Sequence, residues 1–457
     1  NMGRIRLSTG TSINIQPQQA PGEEKLRFNW NTPIVIGAAN KKNLYTGAQY
    51  LYRSNDRGSN WERISPDLTT NDPRKQEQEK SGGLSADVTS AENHCTIFTI
   101  AESPLDEMMI WVGTDDGNLQ RSTDGGKSWK NLSAQYAASG IPVGTWVSSI
   151  LPSRFDKKIV YATFDNHMYG DHQTYVAVSN DMGETWKRWK SDEFTGFAHK
   201  IQEDPVNANL LFLGTEMGLF ASVNRGENWF RMKNNIPWYA PVRDIQIQEA
   251  NHSLVLGTHG RGVIVIDDIR PMRTITPEIA KQPVVLLNKA PIVLTMGKYA
   301  GSFPGSAGEW NAGNPPVITP ISYYLSDRAR SIQMEVYDST GALVQKLTPS
   351  NRKGYNKVIW NQRMLPPRVA KGGTQVEQAA FFAPQVLPGT YTLKVTVNGT
   401  LYTEAITLIH DAANPSFSLA DRALQYKTAM QLYRMNEQLA TLVDSILTIQ
   451  EKLKRRA

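Results

Sequence analysis

Short apolar runs recur along residues 1–268 in a fixed order, separated by glycine-, asparagine- and aspartate-rich turns. One class of run covers 33–36, 95–100, 147–150, 198–202 and 242–247. A second follows each of these and ends on small residues, at 44–47, 111–114, 160–163, 211–215 and 254–258. Alternation over four to eight residues with turn signals between predicts half-buried strands, not helices. A third strand and a short fourth, such as 185–189, complete each unit, and four antiparallel strands repeated in series describe propeller blades. Blades are expected to begin near Phe28, His94, Val147, Phe197 and Val242, the fifth with three obvious strands. Residues 3–7 and 12–15 read as the outer hairpin of a preceding blade, so a partial propeller is expected over 1–268.

Between the third and fourth strands of four units stands one motif: SNDRGSNW at 54–61, STDGGKSW at 122–129, SNDMGETW at 179–186 and SVNRGENW at 222–229. Four copies of the Asp box in one strand context make the repeat specific. Its chemistry is structural. Ser and Asp side chains accept backbone hydrogen bonds in a tight turn, Gly supplies a positive φ, and Trp packs between sheets. Asp56, Asp124, Asp181 and Asn224 are therefore expected as turn clamps, with Trp61, Trp129, Trp186 and Trp229 as plugs. Asn224 points the same way, because an amide can clamp a turn but cannot replace a catalytic carboxylate.

The pattern changes after residue 268. Residues 269–318, rich in Pro, Gly and Asn, read as an irregular linker packing on the propeller. Residues 319–411 carry six alternating runs and turn sequences at 338–341 and 398–399, which predict an Ig/fibronectin-like β-sandwich. Residues 416–457 predict an amphipathic helix. Leu432, Met435, Leu439, Leu442, Ile446, Ile449 and Leu453 follow a 3-4 spacing, the seam of a helical hairpin or coiled coil. Burying one Leu or Ile is worth ~1.5–3 kcal/mol, so a returning helix, another chain or the sandwich is expected to cover the stripe, in that order.

Composition then narrows the function. The chain has 457 residues, eleven Trp and a formal net charge of +6. Its basic residues are dispersed among acids, except for a cluster at 452–456, so a nucleic-acid groove is not indicated. No apolar run approaches the ~18 residues of a membrane span. The single cysteine, Cys95, lies in an apolar run and reads as core; no internal disulfide is possible. Residues 1–17 contain no signal-peptide h-region.

Several segments then resemble one family: RFNWNTP at 27–33, ISPDL at 64–68, WVGTDDG at 111–117, EDPVN at 203–207, GTHGRG at 257–262 with Asp267 and Asp268, and PGTY at 388–391. Together with the boxes and the closing helix they make the chain similar to the bacterial sortilin-like Asp-box (BNR) repeat propeller proteins, often labelled "glycosyl hydrolase, BNR repeat". The resemblance spans nearly the whole chain. It implies the C-terminal part of a longer, exported protein, secreted, periplasmic or associated with the outer membrane. The enzymatic label follows boxes shared with sialidases and xyloglucanases, and a shared fold is not a shared function.

A site is expected on the face opposite the boxes. Entry loops would bring Trp30, Asn31, His94, Trp146, His199, Tyr239 and Arg243 there, and the hairpins Asp115, Asp116, Asp165, His167, Glu216, His259 and Arg261. Aromatics mixed with carboxylates and arginines at a channel mouth suit a polysaccharide or a peptide or protein ligand. Asp115-Asp116-Gly117 and the 259–262 segment are also good turn sequences. Glycoside hydrolysis is the alternative function, and it would need two facing carboxylates; Asp115, Asp116, Asp165 and Glu216 are the candidates. His167, His172, Asp165 and Asp171 lack a metal-ligand spacing, and no metal or cofactor is expected. The charged stretch 71–80 reads as a solvated loop, a possible flap. The first function expected is ligand binding or scaffolding.

Overall fold

A computed structural model describes residues 2–77, 93–233, 235–287, 290–294, 319–370, 378–412 and 418–455, and the structural statements below concern these. The last three residues of the expected flap, and 295–318 of the expected linker, lie outside them. The chain divides into two units, Asn1–Arg273 and Thr274–Ala457.

The first unit consists of five consecutive propeller blades. Four are four-stranded antiparallel sheets in simple sequence order. Their inner strands are Ile34–Ile36, Ile97–Ser103, Trp146–Pro152 and Ala198–Glu203. The fifth sheet has three strands, Val242–Gln248, Ser253–Thr258 and Val263–Ile266. From the second blade to the fifth, each inner strand lies against the next. A close approach makes this possible. Gly47 ends the second strand of the first blade, and a Cβ there would sit 2.5 Å from Ile97 Cγ2 of the second. Gly113 stands in the same relation to Val147, and Gly214 to Val242. In the first, second and fourth blades the glycine near the end of the second run is thus a seat for the next blade.

The four boxes share one geometry. In the second, Ser122 Oγ accepts from Gly126 N at 2.8 Å and donates to Asp124 Oδ1 at 2.8 Å. Asp124 then accepts from Ser128 N at 2.9 Å and from Ser128 Oγ at 2.6 Å. Asn224 makes the equivalent backbone bond, from Asn228 N at 2.9 Å. Two consecutive residues are left-handed, as in Gly125 and Gly126 or Met182 and Gly183, so the position before the box glycine is strained as well. Each box also docks on the blade before it. Trp129 Nε1 donates to Ile64 O, and Gly126 abuts Ile64. Ile15 stands toward the first box as Ile64 does toward the second. Trp61 Nε1 donates to Ile15 O at 2.6 Å and Gly58 abuts the Ile15 side chain. The hairpin Gly3–Arg6 with Thr11–Asn14 is a separate two-stranded sheet that leads into this contact.

A second inter-blade clamp is polar. Glu102, buried at the end of the second inner strand, accepts from Tyr45 Oη at 2.7 Å and from the Ala39 and Asn40 amides of the first blade. Glu203 of the fourth inner strand repeats this two blades on, accepting from Tyr161 Oη, Ser153 Oγ and Arg154 N of the third blade.

In the second unit, sheets of three and five strands share one core around Tyr323, Trp360, Val336 and Leu393. Part of the stretch read as an irregular linker belongs here. Val284–Leu286 pairs with Thr319–Leu325, and Ile292–Leu294 runs parallel to Thr400–His410. Their short apolar runs were too brief to distinguish from loop by period alone.

The helix Leu419–Lys454 starts at a capping box made by Ser418 and Asp421. It is held to its own unit by a face other than the 3-4 stripe. Arg422, 3% exposed, donates to the Gln385 and Val386 carbonyls at 2.9 Å; Asn436 bonds Ala380 O, and Ala440 is buried. The stripe is exposed, Leu439 at 53% and Leu442 at 59%. The sandwich therefore does not cover it.

Two outcomes follow for stability. Asp124→Asn keeps the acceptor that Asn224 uses, so its Tm at neutral pH should stay nearer the parent than that of Asp124→Ala. Hydrogen bonds from Ser128 and Ser122 hold the Asp124 carboxyl down at about 2. With a folded pKa below the unfolded one, its stabilisation is complete above about 4 and is lost as pH falls towards about 2. Asp124→Asn should flatten that part of a Tm-against-pH curve. In the helix, Leu439→Ser and Leu442→Ser should change unfolding free energy by under ~0.5 kcal/mol. Arg422→Ala should cost about 1–3 kcal/mol in the same chemical denaturation, because the buried Val386 carbonyl and the part-buried Gln385 carbonyl lose their donor.

Candidate functional site

The inner strands of all five blades border one cavity of about 760 Å³. Its aromatic arc is Trp30, Phe98 and Trp146, and its polar arc includes Asp165, His167, His199, Lys200, Arg243, Asp244 and His259. One local irregularity aims four of these side chains. Strand pairing slips between Ile97 and Thr99, Val147 and Ser149, Ala198 and Lys200, and Val242 and Asp244. The extra residue in each bulge is Phe98, Ser148, His199 or Arg243, and all four line the cavity. A bulge re-aims the residue it inserts.

Around His199 the polar arc is tightly bonded. His199 Nε2 lies 2.8 Å from Glu216 Oε2, and Arg243 contacts the same oxygen at 3.2 Å. Burial, with Arg243 adding to it, lowers the His199 pKa against the opposing pull of Glu216. On the other side, His167 Nδ1 lies 2.6 Å from Asp165 Oδ1, and the His167 ring stacks on Phe197 with centroids 4.4 Å apart. Phe197 also meets His199 edge-on at 5.0 Å. One phenyl ring thus spaces two imidazole–carboxylate pairs. Trp146 packs on Phe98 at 4.9 Å and on His94 at 6.4 Å. Among the described residues no group of His, Cys, Asp and Glu has the arrangement of a metal site.

The sequence-derived candidates separate into three groups. Trp30, Asn31, Trp146, Asp165, His167, His199, Arg243 and His259 border the cavity. Glu216 reaches it through its bonds to His199 and Arg243, and His94 through Trp146. Asp115, Asp116, Tyr239 and Arg261 are not part of the lining. Tyr239 is exposed and packs edge-on against Trp238, while Arg261 is exposed in its hairpin.

Asp115 and Asp116 are buried cross-links between loops. Asp115 accepts from Thr96 N at 2.8 Å, Thr96 Oγ1 at 2.5 Å and Asn29 Nδ2 at 3.0 Å. Asp116 accepts from Thr114 Oγ1 at 2.5 Å, Thr70 Oγ1 at 2.6 Å and Thr70 N at 2.7 Å. Burial and the neighbouring Asp116 push the Asp115 carboxyl up to about 7, against the Thr96 and Asn29 bonds. Cys95 is fully buried and its thiol is pushed up to about 12 by burial, which makes it a poor nucleophile at neutral pH.

Sequence reasoning did not single out Phe98, Ser148, Lys200 or Asp244. The signal was present. Each bulged residue directly follows the first buried apolar residue of its inner strand, as in Ile97-Phe98, Val147-Ser148, Ala198-His199 and Val242-Arg243.

The sequence matches no family model and no curated protein. Solved structures similar to it include an ancestral GH74 enzyme, at 15% identity and a TM-score of 0.40 over 85% of this chain and 46% of that one. The GH74 enzyme of Niastella koreensis matches at 14% identity and a TM-score of 0.37, over 83% of this chain and 57% of that one. YCF48 from Cyanidioschyzon merolae matches at 16% identity and a TM-score of 0.29, over 37% and 52%. The chain thus spans about half the length of these solved chains.

Asp115, outside the lining, gives the fold a measurable pH signature. Its folded pKa of about 7 lies above the unfolded value near 3.9. The folded state then binds more protons, so this group's contribution to stability should fall as pH rises from about 4 to about 7. Asp115→Asn should remove that slope in unfolding free energy measured by denaturant titration across the window. An unchanged slope would mean that Asp115 is ionised in the folded protein.

Proposed function

We propose that this chain is an exported ligand-binding propeller that takes an extended polymer into the five-blade cavity. The observation that carries the reading is the lining itself. One arc offers aromatic faces, Trp30, Phe98 and Trp146, and the facing arc offers hydrogen-bonding groups on separate strands. Such a division holds a repeating ligand by stacking on one side and orients it by hydrogen bonds on the other. An exported location follows from the resemblance of the sequence. No helix among the described residues is long and apolar enough to cross a membrane.

Binding is favoured over hydrolysis by the fate of the carboxylates. A glycosidase general acid has to be protonated and in reach of the glycosidic oxygen. Asp115, whose proton affinity is raised, is buried among Thr96, Asn29 and Asp116, outside the lining. Asp165 borders the cavity but is bonded to His167, and Glu216 is shared by His199 and Arg243.

Affinity electrophoresis of the whole chain against soluble polysaccharides and peptides, with reducing-end release measured in parallel, tests the reading. Retardation without turnover is expected, and Trp30→Ala, at a 69% exposed side chain, should weaken it with no change in Tm. Turnover that disappears in Asp165→Asn or Glu216→Gln would instead establish hydrolysis.

A further inference from the structure

Resting on the polymer-binding reading, we infer that the four bulged residues form the specificity ring of the cavity, and that the ring takes an uncharged, hydroxyl-rich chain: a neutral glycan. The bulges point to a site because of what they contain. A bulge that served only to bend an inner strand would tolerate one residue type throughout. The residues just before the bulges are indeed uniform: Ile97, Val147, Ala198 and Val242 are apolar and buried. The bulged residues differ in every blade, as an aromatic ring, a hydroxyl, an imidazole and a guanidinium: Phe98, Ser148, His199 and Arg243. The strand frame is repeated while the side chain it aims is varied.

The ligand class follows from how the lining's charges are disposed. Both strong cations of the lining already face carboxylates: Arg243 meets Glu216 at 3.2 Å and Lys200 meets Asp244 at 3.4 Å. Asp165 is hydrogen-bonded to the His167 amide and ring, and both bonds fall on Oδ1. A uronate or an acidic peptide would have to take a cation from its partner, and a basic peptide, although its ammonium could reach Asp165 Oδ2, would bring a further cation into a lining that already holds Arg243 and Lys200. A neutral hydroxyl displaces nothing. It can donate to Asp165 Oδ2 and accept from the remaining guanidinium N–H groups of Arg243, since paired ions keep spare lone pairs and donors. The C–H face of a sugar ring then lies on Trp146, Phe98 or Trp30.

Isothermal titration of the whole chain tests this with neutral hexaoses of glucose, xylose and mannose, a hexamer of galacturonic acid, and an acidic and a basic peptide. At least one neutral chain should bind. Its Kd should change less than about twofold between about 0.01 M and about 0.1 M salt, although the screening length falls from about 30 Å to about 10 Å. Phe98→Ala and Arg243→Gln should each weaken it about tenfold or more, or ~1.4 kcal/mol. Arg243 has a 45% exposed side chain, so an unchanged Tm is expected there and separates lost contact from lost fold. Tighter binding of the uronate or of either peptide, with steep salt dependence, would overturn the neutral-ligand inference and leave polymer binding standing. Neutral binding unaffected by both substitutions would overturn the ring. Binding of none would remove the underlying reading as well.

Discussion

A methyl group placed on Gly113 would sit 2.5 Å from Val147 Cγ1 and 2.7 Å from Thr99 Cγ2. Neither is a flexible tip that can swing away, for both belong to β-branched side chains on strands. The same limit holds at Gly47 against Ile97 and at Gly214 against Val242. These contacts set how closely one inner strand approaches the blade before it, and so the pitch at which blades follow one another. Bulges at equivalent offsets then bring Phe98, Ser148, His199 and Arg243 to one cavity. The Asp boxes act at the other end of the blades, docking each on its predecessor through contacts such as Trp129 with Ile64. Glu102 and Glu203 lie between these two levels and tie neighbouring blades by buried hydrogen bonds.

Much of this frame was legible in the residues. The box names its own hydrogen bonds, because Ser, Asp and Gly at that spacing have few other uses. The five inner runs announce the blades, since a two-residue period with turn signals between has one common meaning. The bulges were missed, because an inserted residue changes the register of pairing, and its one trace in the sequence, a place directly after the first buried apolar residue of the strand, does not alter composition. Asp115 and Asp116 misled for a related reason. A carboxylate beside a glycine reads the same whether it faces a cavity or a neighbouring loop, and only the positions of Thr96, Asn29 and Thr70 decide between them. In the helix the 3-4 stripe was visible, but Arg422, the anchor that selects the packed face, looked like an ordinary solvated charge. Its role depends on the carbonyls of Gln385 and Val386, some thirty-six positions earlier in the chain.

The cavity and the core of the first unit follow different rules, and this separates recognition from folding. Stability is held in the apolar faces between blades and in the buried carboxylates Glu102 and Glu203. Apart from Ile100 and Val35, which also belong to or pack on a core cluster, the lining draws on side chains outside those clusters. His199 is the main exception, since it is buried and bonded to Glu216 while also bordering the cavity. A substitution there touches folding and recognition together, whereas Phe98 and Arg243 are more exposed and less entangled.

The residue inserted in four of the five inner strands has one further consequence, for how such a molecule can change over generations. Each bulge is flanked by backbone pairing whose register does not depend on the side chain it carries. Exchange of that side chain therefore alters one wall of the cavity and leaves the neighbouring walls in place. With five blades bordering the space, preference for a ligand can drift in small, separable steps, one wall at a time. A binding surface built this way is tolerant of novelty in a manner that a pocket carved from a single interlocked core is not.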